Sequence, residues 1–203
     1  MKLGLVTDIH EHVDNLRSAL QQLQREPVDQ VVVIGDVFEQ GRHLNETCQL
    51  LADASAIGVW GNHDFGLCVG PNDENRARYS AGALQFMASL EPRLQLDDCL
   101  FCHIEPWLDA ERLEDLWYFE GPPDQHRNLD RIFRAAPNRI MFAGHYHQWL
   151  VTRPDGIDDW RGERNIDLAQ GRYFVVVGAL CNGDFATFDT ETSELKPFHL
   201  EQR

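Results

Sequence analysis

Basic residues are scarce in this 203-residue chain: 18 lysines and arginines stand against 33 aspartates and glutamates, a net charge of -15 with histidine neutral. Such a chain repels polyanions at long range and offers no basic footprint, so duplex nucleic acid is not an expected partner. Long apolar runs are missing too. No segment approaches 18 consecutive apolar residues, and Met1 and Lys2 lead straight into a short strand-like stretch ending at a charged motif, so neither a membrane span nor a signal peptide is expected. The five cysteines (Cys48, Cys68, Cys99, Cys102, Cys181) are odd in number, and although Cys99 and Cys102 are three apart, no second pair accompanies them to make a zinc ribbon. They read as buried free thiols in a reducing, cytoplasmic setting. Internal repeats, low-complexity tracts and linkers are absent as well. With 43% apolar and 25% charged residues, the expectation is one globular domain over residues 1–203 with a substantial core. No coiled-coil seam is legible, so a monomer or a small homo-oligomer would fit.

What the chain does have is a series of short apolar runs, at residues 3–6, 31–34, 57–60, 100–102 and 140–143, whose length and β-branched content predict buried strands. Helical patterns lie between them: Leu16, Ala19, Leu20 and Leu23 after a cap at Asp14, then Leu44, Cys48 and Leu51. Residues 74–90 and 125–136 also read as helices, the second with Leu129, Ile132, Phe133 and Ala136 on one side. The alternation predicts an α/β class. After Gly144, residues 148–152, 172–177, 185–189 and 195–200 read as successive strands, more a meander than βαβ units.

Each of the five apolar runs is followed at once by polar residues able to bind metal. The first leads into Thr7-Asp8-Ile9-His10, and in an extended chain residues two apart share a side, so Asp8 and His10 can share one ion. Gly144-His145-Tyr146-His147 repeats that arrangement. The second run ends in Gly35-Asp36, the third in Gly61-Asn62-His63-Asp64 and the fourth in His103. A glycine ahead of the polar residue lets the backbone turn sharply or approach the site closely. Ligands gather beyond the carboxyl ends of strands in open α/β sheets, so these segments are expected to converge. Carboxylate, amide and imidazole form an oxygen and nitrogen set suited to Mn, Fe, Zn or Co. Seven donors are too many for one tetrahedral zinc, whereas two ions sharing a carboxylate use them naturally. Taken singly, Asp8 could be a cap, Gly61-Asn62 a turn and His103 a satisfied core histidine. All five motifs together favour metal.

As a set, D-x-H, G-D, G-N-H-D, H and G-H-x-H between residues 8 and 147 resembles the calcineurin-like metallophosphoesterase superfamily. Within it the compact chain is similar to the small prokaryotic phosphodiesterase branch. The resemblance implies a four-layer αββα sandwich of two mixed β-sheets flanked by helices. It implies that Asp8, His10 and His147 bind one divalent ion, Asn62, His103 and His145 the other, and Asp36 both. Mn is expected first, with Fe, Zn, Ni or Co as alternatives. His63 resembles the family's general acid, with Asp64 placed to orient its imidazole. The implied reaction is hydrolysis of a small phosphoester by a metal-bridging hydroxide, diesters ahead of monoesters. A phosphomonoesterase, or a non-catalytic module that kept the fold, are the alternatives; retention of His63 and all seven ligands favours an enzyme.

Three departures stand out. Glu39 and Gln40 occupy positions where protein phosphatases carry Asp and Arg, Ile104 follows His103 where glycine is usual, and Gly178-Ala179-Leu180-Cys181-Asn182 replaces a late Asn-Pro-Gly-Ser turn. His12, His43, His126 and His199 are expected at the surface or behind the ligands. Trp107, Trp117, Tyr118 and Phe119 are expected in core or loop packing rather than in a substrate pocket, and Glu111, Glu114 and Asp115 on a solvated helix face.

Overall fold

Strand side chains alternate between two faces, and here both faces are apolar: Val32 and Ile34 point one way, Val31 and Val33 the other, and all four are buried. A sheet buried on both faces needs a layer on each side. The computed structural model, which describes residues 1–125 and 129–201, supplies them. In chain order the strands are β1 (Lys2–Val6), β2 (Gln30–Ile34), β3 (Ile57–Val59), β4 (Leu94–Leu96), β5 (Cys99–Phe101), β6 (Ile140–Ala143), β7 (Leu150–Arg153), β8 (Gly156–Ile157), β9 (Ile166–Asp167), β10 (Tyr173–Val176), β11 (Asp184–Asp189) and β12 (Glu194–His199). The helices are α1 (Val13–Arg25), α2 (Leu44–Asp53), α3 (Phe65–Cys68), α4 (Asp73–Arg78), α5 (Ala81–Ser89), α6 (Leu113–Leu116) and α7 (Leu129–Ala135). The strands form two six-stranded mixed sheets, ordered β3-β2-β1-β11-β12-β9 and β4-β5-β6-β10-β7-β8.

Three apolar layers hold the stack together. Between the sheets, Leu3, Leu5, Val32 and Ile34 meet Phe101, Ile140, Phe142 and Val175. The Phe142 ring lies 5.2 Å from Phe101 and 5.1 Å from Phe188, bridging the layers. Outside the first sheet, Val31 and Val33 pack on Leu16, Leu20 and Leu23 of α1 and Leu44 and Leu51 of α2. Outside the second, Met141, Phe174 and Val176 pack on Leu129, Ile132 and Phe133 of α7. Each fully buried large side chain contributes about 1.5–3 kcal/mol. The result is the expected four-layer α/β sandwich of two mixed sheets.

Several local expectations are corrected. The N-cap of α1 is His12, and Asp14 lies in the first turn instead. Residues 74–90 form two helices because Tyr79 turns extended and Ser80 restarts the chain, its hydroxyl accepting from Ala83 N at 3.2 Å. Of the helix expected over 125–136, α7 forms Leu129–Ala135 after a 3-10 turn at Pro123–Gln125; residues 126–128, His126 among them, lie outside the described residues. The strands after Gly144 are divided between the sheets: β10 pairs parallel with β6, while β11 and β12 form a hairpin beside β1. Burial on both faces, rather than sequence adjacency, decides their partners. Among the described residues no helix is long and apolar enough to cross a membrane.

The register sets up the site. Val6 pairs with Val33, Ile34 with Val59, and Phe101 with Phe142, so the carboxyl ends of β1, β2 and β3 are level, as are those of β5 and β6.

Candidate metal centre

Beyond the strand ends the loops remain hydrogen-bonded side by side. Asp8 N donates to Gly35 O at 3.0 Å, His10 N to Asp36 O at 3.0 Å and Glu11 N to Val37 O at 3.1 Å. On the other flank Leu180 N donates to Thr7 O and Cys181 N to Asp8 O, at 2.8 and 3.0 Å, and Gly144 N reaches His103 O at 3.1 Å. Asp8 and His10 are not alternate residues of an extended chain, which corrects the strand-based expectation. They have φ of 49° and 45°, and Asp36, His145 and His147 have 54°, 71° and 52°. Left-handed backbone at residues with a Cβ costs on the order of 1–3 kcal/mol each and clusters at functional sites. It turns these side chains inward where a pleat would have pointed them along the sheet normal.

The motif glycines make room. A Cβ on Gly144 would collide with Thr7 Oγ1, one on Gly61 with Asp36 Oδ1, and one on Gly35, itself at φ +87°, with the His103 ring. This is the close approach expected of a glycine ahead of each ligand.

All seven expected ligands come together. Asn62 Oδ1 lies 3.0 Å from both His103 Nε2 and His145 Nδ1, and Asp36 Oδ2 lies 3.3 Å from the same His103 Nε2. On the other flank His10 Nε2 is 3.1 Å from His147 Nε2, which is 3.4 Å from Asp8 Oδ1. Asp36 Oδ2 lies between the flanks, 3.7 Å from His10 Nε2. His103 Nδ1 donates to Ile34 O at 2.8 Å, which leaves Nε2 as the inward-facing atom. Asp8 accepts from Thr7 Oγ1 at 2.9 Å and from His145 N at 3.1 Å, and Asp36 Oδ1 accepts from His63 N at 3.0 Å.

The electrostatics follow from this crowding. Burial opposes charge on both Asp36 and His103, yet their attraction wins: Asp36 is held well below the usual carboxylate range and His103 is pushed up to about 9. Burial, then the His103 charge, pushes His145 down to about 4. The Asp8 carboxylate, followed by the Cys181 thiol, pushes His147 up to about 10, and burial lowers His10. Carboxylate, amide and imidazole lone pairs packed 3.0–3.7 Å apart need positive charge between them, from protons or from divalent cations. The donor set therefore fits metal: Asp8, His10 and His147 could hold one ion, and Asp36 and His103, joined by Asn62 and His145, another.

Asp64 departs from its expected part. Its fully buried carboxylate accepts from three backbone amides, Val37 N at 3.2 Å, Phe38 N at 2.9 Å and Gly61 N at 3.0 Å, which ties the Asp36 loop to the Asn62 turn. Burial, then the Asp36 charge, pushes it up to about 7. The carboxylate facing the His63 ring is Glu39, with Oε2 3.7 Å from Nδ1 and 2.9 Å from His10 Nδ1, the latter out of line for a hydrogen bond. Glu11 was not singled out by its sequence. It is buried, with Oε1 accepting from Glu39 N at 3.1 Å and Oε2 from His43 N at 2.7 Å, and so shapes the Glu39 loop. Its place after the D-x-H motif was the available signal. Cys181, part of the late turn that departs from the family pattern, places its Sγ 3.7 Å from His147 Nδ1.

A cleft of about 510 Å³ opens over His10, His63 and His147, and a second of about 560 Å³ shares His10, His12, Glu39 and Gln40 with it and runs on to Arg42 and His43. His199 pairs with Asp184 at 2.8 Å, away from the ligands. Of the aromatics expected in core or loop packing, Trp117, Tyr118 and Phe119 are exposed, which excludes the core for all three. Glu111 and Glu114 are exposed as expected.

Residues 1–193 match the family model of the calcineurin-like phosphoesterase superfamily domain. A phosphodiesterase of Methanocaldococcus jannaschii is 22% identical over 162 residues, covering 77% of this chain and 80% of its own. An uncharacterised protein of the same organism is 23% identical over 189 residues, covering 85% and 70%. The crystal structure of a metallophosphoesterase from Sphaerobacter thermophilus superposes with a TM-score of 0.80 at 22% identity, covering all of this chain and 89% of that one. With the family model spanning nearly the whole sequence and the motif residues gathered at one end of its two sheets, the chain belongs to the calcineurin-like phosphoesterase superfamily.

Proposed function

We propose that this protein hydrolyses small phosphoesters, diesters in preference to monoesters, using two divalent ions, Mn first. Asp8, His10 and His147 hold one, Asn62, His103 and His145 the other, and Asp36 lies between. The observation that carries this reading is Asn62 Oδ1 set 3.0 Å from two imidazole nitrogens, with Asp36 Oδ2 3.3 Å from one of them. The preference for diesters is supported by the M. jannaschii relative named as a phosphodiesterase. One domain over residues 1–203 is favoured because the ligands come from loops of both sheets, and free cysteines fit a cytoplasmic setting.

When bound, two divalent ions neutralise non-bridging phosphate oxygens and lower the pKa of water. The side chains do the rest. His63 is half-buried at the mouth of the site, its backbone amide fixed by Asp36 Oδ1, and its imidazole donates a proton to the leaving alkoxide. Asp64 keeps the turn that carries Asn62 and His63 in register with the Asp36 loop. The test is hydrolysis of bis(4-nitrophenyl) phosphate by Mn²⁺-loaded protein. Asp36→Asn should lower kcat/KM on the order of 10³-fold, because the carboxylate between the two groups of donors would lose the charge that both ions need. Equal rates for the two proteins would overturn the proposal.

A further inference from the structure

Resting on the phosphoesterase reading, we infer that Trp117 and Phe119 form a stacking rest for a flat ring on the substrate, which makes nucleoside-bearing phosphoesters the favoured class. Among the described residues, every exposed Trp, Tyr or Phe side chain falls in one three-residue segment: Trp117 is 55% exposed, Tyr118 39% and Phe119 64%. That segment lies against both flanks of the site. The Trp117 ring centroid is 5.2 Å from that of His63, tilted by 47°. The Phe119 ring is 6.3 Å from Tyr146, whose own ring is 5.2 Å from His145.

Tyr118, between them, packs edge-on against Trp107 at 5.7 Å, and Arg131 covers Trp107 with its guanidinium 5.1 Å from the ring. The middle residue thus anchors the segment, while its two neighbours present rings beside the reacting centre. Exposed aromatic area gathered at a reaction site marks a binding surface more than packing does. The occupant is constrained by what surrounds it. A net charge of -15 disfavours a polyanionic strand, whereas a small ester with one phosphate at the cations can lay a base on the rings. Base–aromatic stacking contributes about 1–3 kcal/mol, roughly 5- to 150-fold in affinity.

The experiment compares binding of two probes to the Mn²⁺-loaded full chain by calorimetry. They are the phosphonate analogues of AMP and of ribose 5-phosphate, in which a methylene replaces the ester oxygen. The AMP analogue should bind about tenfold tighter, a ratio that Trp117→Ala brings to within twofold of unity and Trp117→Phe largely keeps. A ratio of one in the unsubstituted protein, or a ratio that survives in the Trp117→Ala, Phe119→Ala double variant, would overturn the inference. So would a sedimentation dimer that dissociates on Trp117→Ala together with a ratio of one, because the rings would then cover a second copy. Hydrolysis of bis(4-nitrophenyl) phosphate with a ratio of one sinks the stacking rest alone. An intact ratio without hydrolysis sinks the enzyme reading and leaves nucleotide recognition standing.

Discussion

His103, on one flank of the site, is fully buried and has Nδ1 fixed on Ile34 O at 2.8 Å; His147, on the other, is 40% exposed and has Nδ1 facing the Cys181 thiol at 3.7 Å. On the first flank the imidazole itself is held by a buried backbone acceptor. On the second the backbone of Asp8 and His10 is hydrogen-bonded to the neighbouring loop, but the imidazoles lean on side chains, His147 on the Cys181 thiol and His10 Nδ1 on the exposed Glu39 carboxylate. A preorganised set of donors binds with less ordering cost than a set that must be gathered. The proposed ions should therefore differ in affinity, the buried position being the tighter.

The largest effect that would sharpen this contrast is a pair of substitutions. His103→Ala should lower kcat on the order of 10³-fold and resist rescue by millimolar Mn²⁺, whereas His147→Ala should lose about tenfold and recover as Mn²⁺ is raised. Equal rescue of both would break the comparison. A smaller effect, on stability, is expected from Asp64→Ala. Two buried backbone donors and a part-buried third lose their acceptor, so urea unfolding in EDTA should show a loss of about 3 kcal/mol. A loss below about 1 kcal/mol would mean the two loops are held together by something else. The smallest is Glu39→Gln, which should weaken Mn²⁺ at the exposed flank by about tenfold and leave the buried position unchanged in a binding isotherm. Weakening of both positions alike would show that Glu39 acts on the whole site.

The sequence was most legible where one physical constraint dominates. Short apolar runs ending at polar residues located β1, β2, β3, β5 and β6 to within a residue or two, and the ligand order placed seven side chains that the fold brings together. Long-range choices were less legible. Which sheet β10 or β11 joins depends on burying both faces, and nothing local encodes it. The left-handed backbone at Asp8, His10 and Asp36 was hidden because residues with a Cβ rarely adopt it without a surrounding scaffold. Asp64 and Glu11 look like ordinary acidic residues in sequence, and only the fold aims backbone amides at their carboxylates. The exposure of Trp117 and Phe119 ran against the general tendency of aromatic residues to be buried.

The central claim, two cation positions of unequal strength sharing Asp36, is tested most directly by titrating Mn²⁺ into metal-free protein and counting bound ions. Two ions per chain should bind in two resolved phases, with the weaker phase lost in His147→Ala and the tighter one retained. A single phase of one ion, or removal of the tighter phase by His147→Ala, would contradict it.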